Sequence, residues 1–373
     1  MRQLQSRKPK WSIIRPLVAL AVPVILSGCG GDGGNTVAGY RQTNLVADVS
    51  GVAPTTDANL LNPWGIAYSP TGPVWISDNH AGLATVYDGS GKPFPTPVPL
   101  VVTIPPPQGG SDPAAPTGVV FNASSDFVIT QGATSAASLF IFATEDGTIS
   151  GWNSKVNPAT AILTVDNSGA DAIYKGLAIG SNASGNFLVA TDFHNGRVDV
   201  FDKNFMPATL AGSFSDPNIP VGFAPFGVQN VGGSLYVTYA KQDANAEDDA
   251  AGPGNGYVDV FDSNGNLTKR FASQGTLNSP WGVVLAPATF GQFSNALLVG
   301  NFGDGRISAF NSTSGAFMGQ LAGTNGMPIT IQGLWALVFG NGGTAGSAST
   351  LLFTAGPDGE QHGLFGSLQA VSG

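Results

Sequence analysis

With 52 glycines, 26 prolines and 42% hydrophobic residues in 373, the chain is turn-rich yet apolar enough to fold, which excludes a disordered polymer. Leaving aside five basic residues near the N-terminus, 10 Lys and Arg face 24 Asp and Glu, a balance of −14. So acidic a surface excludes nucleic acid and anionic lipid, both of which select clustered Lys and Arg.

Taken in chain order, the first segment is a leader. Arg2, Arg7, Lys8, Lys10 and Arg15 precede the apolar run LVALAVPVIL (17–26), too short and proline-broken to span a bilayer stably. It ends in Leu26-Ser27-Gly28-Cys29, which resembles the bacterial lipobox. That resemblance implies cleavage before Cys29 and lipidation of Cys29. Gly30, where an Asp would signal retention, implies the outer membrane of a bacterial cell envelope. A signal peptide over 1–28, a flexible polar tether over 29–36 and one folded domain over 37–373 are therefore expected. Cys29 is the sole cysteine, so the folded part has no disulfide and no thiol chemistry.

The folded part repeats. PWGIA (63–67), PTGVV (116–120), YKGLA (174–178), PFGVQ (225–229), PWGVV (280–284) and LWALV (334–338) recur at steps of 51 to 58 residues. Each is followed by a β-rich run, a polar turn and a further alternating run, such as RVDVFD (197–202) or RISAFN (306–311). A unit of about 50 residues with four short strands is a propeller blade, so six units predict an all-β, six-bladed β-propeller. The last unit lacks a fourth strand, while RQTNLVAD (41–48) precedes the first unit unpaired. Joining them removes two open sheet edges, so the N-terminal strand is expected to complete the last blade.

The stretches FLVATDFHNGRVDVFD (187–202) and LLVGNFGDGRISAF (297–310) resemble NHL-type six-bladed propellers. Over the whole folded part the chain is also similar to a family of secreted bacterial propellers, through IFATEDGTISGW (141–152) and FTAGPDGEQHGLFGS (353–367). The resemblance implies the fold and brings no established activity.

Chemistry is expected on the face where the turns between second and third strands lie. All six turns carry an acid and hold the three histidines, His80, His194 and His362. Turns one strand out from the axis stand roughly 20 Å apart two blades on, from a strand spacing of about 4.8 Å. One metal held by three histidines, at about 2.0 Å each, would need every turn to fold inward. His80 and His362 belong to blades adjacent on closure, and His194 in TDFHNG reads first as a turn residue.

The fourth turn, KQDANAEDDAAGPGNG (241–256), is about ten residues longer than its equivalents. Asp243, Asn245 and Glu247 alternate as the oxygen ligands of a calcium loop do, with Asp248 and Asp249 beside them, but the later loop positions do not match an EF-hand. The loop reads first as a solvated acidic turn and, in the alternative, as a cation site with calcium ahead of zinc. GPDGEQHG (356–363) places Asp358, Glu360 and His362 in one turn, a candidate catalytic set of carboxylate and imidazole. Asn62, Trp64, Phe226, Asn278, Trp281 and Trp335 stand at the inner-strand starts and, with His80, His194 and Asp304, are candidates for a ligand pocket. Six-bladed lactonases hold calcium at this mouth, yet the inner-strand starts here offer few acids.

No nucleotide-binding or zinc-protease motif is present, so no nucleotide or organic cofactor is expected. The residues point to a monomeric, lipid-anchored binding module for a small molecule, glycan or protein, acting through a divalent cation on the acidic face. The alternative is a metal-dependent hydrolase or lyase acting on a small ester, lactone or peptide-like substrate.

Overall fold

The computed structural model describes residues 37–372, and the leader, Cys29 and the tether lie outside them. Six antiparallel sheets surround an axis, and their inner strands are Pro63–Ala67, Pro116–Phe121, Tyr174–Asn182, Phe223–Val231, Pro280–Leu285 and Leu334–Phe339. These are the six repeated motifs, and the protein is a six-bladed β-propeller. The expected closure is present: Val37–Ala47 pairs antiparallel with Leu364–Ser372 as the outer strand of blade 6, with Tyr40 opposite Ala370 and Ala47 opposite Leu364.

The repeated glycine has a packing cause. A Cβ built on Gly65, Gly118, Gly227 or Gly282 would lie 2.5, 2.5, 2.3 or 2.6 Å from a backbone atom of the next inner strand. Adjacent blades therefore meet backbone to backbone at these positions. Only the sixth motif has a side chain there, Ala336, at the seam where blade 6 meets blade 1.

Each inner strand also slips register near its start, between Pro63 and Ile66, Pro280 and Val283, or Leu334 and Leu337, for example. Such a bulge turns the local side chains toward the end of the channel. It also removes ladder partners, and threonines of the second strands replace them. Thr191 Oγ1 accepts from Gly176 N at 2.8 Å and donates to Phe226 O of the next blade at 2.7 Å. Thr238 and Thr354 serve Gly227 N and Ala336 N in the same way. Thr191 is fully buried, so Thr191→Val is expected to cost about 2 kcal/mol by stranding an N–H and a C=O. A urea titration checks this; an unchanged midpoint would show that the hydroxyl is dispensable.

Two blades depart from the plain repeat. Blade 2 carries an inserted hairpin, Val128–Gln131 with Thr134–Ala137, whose Ile129 and the preceding Phe127 are buried in the core shared with blade 3. Blade 3 has three strands among the described residues. In place of a fourth, Phe205 packs on Phe127 with ring centroids 5.4 Å apart, and Phe214 packs on Phe261 at 5.4 Å. The chain between them makes aromatic anchors instead of a ladder.

Candidate functional site

Side chains from all around the axis meet at the end of the channel where the inner strands begin. Lys175, the second residue of the blade 3 inner strand, is 2% exposed. Its ammonium forms an ion pair with Glu145 from the blade 2 turn and lies 3.0 Å from Asp248 Oδ1 of the long blade 4 loop. Below it are the rings of Trp64 at 5.3 Å and Phe193 at 5.8 Å, so a cation–π floor supports the charge.

Asn62 sits at the other side of the mouth. Its Nδ2 lies 3.4 Å from each of Asn79 Oδ1, His80 Nε2 and Glu360 Oε1, and its Oδ1 accepts from Trp335 Nε1 at 3.2 Å. Asn79 Nδ2 continues the network to Glu145 Oε2 at 3.0 Å. The four carboxyls of the mouth, Glu145, Asp248, Asp249 and Glu360, all come from blades 2, 4 and 6.

The backbone that delivers Glu360 is strained. Asp358, Gly359 and Glu360 take φ of 56°, 65° and 68°, three successive left-handed residues of which only one is glycine. Asn62 is left-handed as well, at φ 45°. A Cβ on Gly356 would lie 2.2 Å from Asn62 Oδ1, so a larger residue there would displace the Asn62 amide.

The electrostatics follow from crowding. Burial works against the Lys175 charge, but Glu145 and Asp248 outweigh it and hold the lysine above its ordinary value. Burial and then Glu145 push Glu360 up to about 8, so its carboxyl is protonated at neutral pH. Burial raises Asp249 to about 6. His80 is lowered by burial, with Glu145 opposing, and is neutral.

Beneath the network lies an aromatic layer. Trp335 stacks on Trp64 at 3.5 Å and on Phe302 at 4.0 Å, with Trp281 edge-on to Trp64 at 6.1 Å. Phe193 and Phe226 complete it. The channel below narrows to a void of about 20 Å³ among Gly65, Gly118 and Gly282, roughly room for one water. At the opposite end it widens into a funnel of about 270 Å³ lined mainly by Ile66, Val119, Leu177, Ile179 and Val338.

Several expectations from the sequence are corrected by this geometry. Asp358, Glu360 and His362 are not brought together as a catalytic set. Only Glu360 enters the network, while His362 Nδ1 lies 2.8 Å from Asp48 Oδ2 and Asp358 is exposed. The alternating residues of the long loop do not surround one point either. Asp243 Oδ1 accepts from the backbone of Asn245 at 3.1 Å and Glu247 at 3.0 Å, closing its own turn. Asp248 turns to Lys175, and Asp249 is sealed beside Ser279. Among the described residues no three His, Cys, Asp or Glu side chains are grouped to hold a metal ion.

The three histidines separate as well. His194 Nδ1 meets Ala246 O at 3.3 Å and helps seat the long loop, and only His80 reaches the mouth. Asp304 receives Asn301 Nδ2 at 3.1 Å within its turn, and Asn278 Oδ1 accepts from Gly252 N at 2.7 Å. Of the other pocket candidates, Trp64, Phe226, Trp281 and Trp335 form the floor. The expectation that turns two blades apart stay well separated is also corrected, since Glu145 and Asp248 both reach Lys175.

Lys175, Glu145, Asn79 and Ser279 escaped the sequence reading. A signal for the lysine was present: the second residues of the six motifs are Trp64, Thr117, Lys175, Phe226, Trp281 and Trp335, and Lys175 alone is charged. Glu145 carried no such mark, being one acid in an Asp-Gly turn.

No family model matches the chain. An uncharacterized protein of Acanthamoeba polyphaga mimivirus is 32% identical over 336 residues, spanning 88% of this chain and 80% of the relative. A second uncharacterized mimivirus protein is 33% identical over 342 residues, 89% of this chain and 86% of the relative. This chain belongs to their family. Among solved structures, virginiamycin B lyase from Staphylococcus aureus is similar over 89% of this chain and 99% of its own, at 14% identity and a TM-score of 0.44. The PQQ-bound aldose sugar dehydrogenase from Streptomyces coelicolor is similar over 89% and 99%, at 13% identity and a TM-score of 0.45. Matches at these scores transfer no activity to this family.

Proposed function

We propose that this chain is a lipid-anchored binding module whose ligand seat is the channel mouth, and that the ligand is a small polar molecule with both hydrogen-bond donors and acceptors. One observation carries the reading. Trp64 Nε1 is sealed from solvent at the mouth and has no hydrogen-bond partner. A buried polar atom left unpaired costs about 1–3 kcal/mol, so this donor calls for an occupant that accepts from it. The strained turn beneath Glu360 supports the same conclusion, because strain of this kind clusters where ligands are held.

The test is a thermal-shift and ligand-detected NMR screen of the purified protein with polyols, organic acids and amines. A hit is expected to lose at least about tenfold in affinity on Asn62→Ala, which removes the amide joining Asn79, His80, Glu360 and Trp335. A hit indifferent to that change would place the seat elsewhere.

A second reading has its own observation. Glu360, held protonated, and His80, held neutral, both approach Asn62 Nδ2 at 3.4 Å. An acid and a base kept apart in charge at one point suit proton transfer, hence hydrolysis or elimination on a small ester or lactone. In this reading turnover is lost in both Glu360→Gln and His80→Ala and kept in His362→Ala; any other pattern rejects the pair.

A further inference from the structure

Blade 3 stops one strand short, and the place of its fourth strand is open. In blade 1 the chain leaves the third strand through a tight turn and bonds Phe94 N to Val86 O at 2.8 Å. After an excursion it returns as Val101–Thr103, opposite Leu83–Thr85. Blade 3 begins in the same way: Asp202 N donates to Met206 O and Ala208 N to Val200 O, both at 2.8 Å. The chain then departs, and among the described residues no strand returns opposite Arg197–Asp199.

Those bonds fix which way the edge points. Successive residues of an antiparallel strand direct their backbone groups to opposite sides. Val200 faces outward, so Val198, two residues before it, also turns its N–H and C=O away from the second strand. No backbone partner meets Val198 on that side among the described residues. Its counterpart in blade 1, Ala84, lies opposite Val102. The covering differs accordingly: the third strand of blade 4, Gly256–Phe261, is buried throughout, whereas Arg197 is exposed and Val198, Asp199 and Val200 are half-buried.

The vacancy has walls. Cavities of about 410 and 260 Å³ flank the edge and share Arg197, Val198, Ser213 and Phe214. The larger one separates the strand from the chain at Pro207–Phe214 and is the size of an ordinary ligand pocket. Val198, Val200, Leu210 and Ile219 line this place with apolar side chains at the margin of the core shared by blades 3 and 4.

We propose that this edge docks an extended segment of a partner protein, which joins blade 3 as its missing fourth strand and sets an aliphatic residue opposite Val198. The slot defines the occupant. An unpaired strand edge is satisfied by another extended backbone. In blade 1 the element at this position is three residues long, and its central Val102 is fully buried. Proline cannot stand there, because its nitrogen has no hydrogen to donate to the Val198 carbonyl. The fold already adds a strand from a distant part of the chain, where Val37–Ala47 completes blade 6. A second copy of this protein is a poorer occupant: the edge it offers is its own Arg197–Asp202, flanked by Pro207–Phe214 in both molecules. The site lies on the outer rim and does not depend on the ligand reading of the mouth.

The probe is a synthetic peptide, acetyl-LVVTI-amide, which carries residues 100–104 of blade 1. The control is the same peptide with proline at its central valine. Hydrogen exchange of the purified protein, resolved at residue 198, is the readout. The Val198 amide should exchange rapidly in the free protein and slow by about tenfold or more in millimolar valine peptide. The proline peptide should leave it unchanged. Val198→Lys, which places a charge on the edge, should abolish the protection while leaving the melting temperature near that of wild type.

A Val198 amide already slow in the monomer, or one that the valine peptide leaves fast, overturns the proposal. So does protection given equally by both peptides or kept in Val198→Lys. A dimer in light scattering whose Val198 amide is protected would assign the edge to a second copy and overturn the partner segment.

Discussion

Gly227→Ala is expected to destabilise the propeller by about 3 kcal/mol, because its Cβ would stand 2.3 Å from Trp281 O and 3.0 Å from Thr238 Oγ1. Neither neighbour yields easily. Trp281 O belongs to the inner strand of blade 5, and Thr238 Oγ1 accepts the Gly227 N–H at 2.8 Å. Relief requires blades 4 and 5 to part, and that movement reaches the mouth, where Trp281 Nε1 donates to Lys175 O at 3.0 Å. Gly169→Ala is the control, since a Cβ there meets nothing within 4 Å and its φ is not left-handed. Urea unfolding of the two variants should separate them by 2 kcal/mol or so. If they unfold together, the glycine row is not what sets the approach of the blades.

Glu360→Gln is expected to change how stability depends on pH. Burial and the nearby Glu145 raise this carboxyl from 4.5 to about 8. The folded chain therefore keeps a proton that the unfolded chain releases. The stabilisation is complete below about 4.5 and is lost as pH rises through 8, at up to about 1.4 kcal/mol per pH unit. Glutamine keeps the neutral form at every pH. The variant should match wild type near pH 4.5 and exceed it by about 2 kcal/mol at pH 8.5, the full integral being reduced by partial solvent access. Asp249 and Asp259, both raised to about 6, add slope of the same sign in both proteins. The reading is a pair of urea titrations at the two pH values, and parallel slopes would remove Glu360 from the buried network.

Much of the scaffold was legible from residue patterns because its causes are local and repeated. The glycine of PWGIA marks a strand whose neighbour approaches too closely for a Cβ, and it recurs wherever blades meet. RQTNLVAD found its partner because an unpaired strand and a three-stranded last blade leave complementary edges. The inserted hairpin around Gly132 and the missing ladder of blade 3 were not legible, since each is one departure whose compensation lies in another blade. Phe127 and Phe205 are an example: 78 residues apart, they are brought together only by the packing of blade 2 on blade 3.

The candidate site divides the same way. The shared location of the aromatics was legible, because Trp64, Phe226, Trp281 and Trp335 occupy equivalent repeat positions; that they pack as a layer beneath a polar network was not. The acid that matters most beside Lys175 was passed over, because Glu145 in EDGT looks like any turn residue. The residues that looked most like chemistry, the run Asp243 to Asp249 and the trio Asp358, Glu360 and His362, are largely occupied locally. Asp243 caps its own loop, and His362 clasps Asp48 beside the closing strand.

By itself, the sequence determined the six blades, their closure and the face on which polar turns accumulate, because strand period, turn chemistry and backbone contact act over a few residues and recur at steps of 51 to 58. Only the tertiary structure decided that turns from blades 2 and 4 fold inward onto one lysine while Glu360 of blade 6 joins the same mouth through Asn62. That outcome depends on left-handed residues at Asp358 and Glu360, on a loop seated against the neighbouring blade, and on a buried ammonium whose desolvation only converging carboxylates offset.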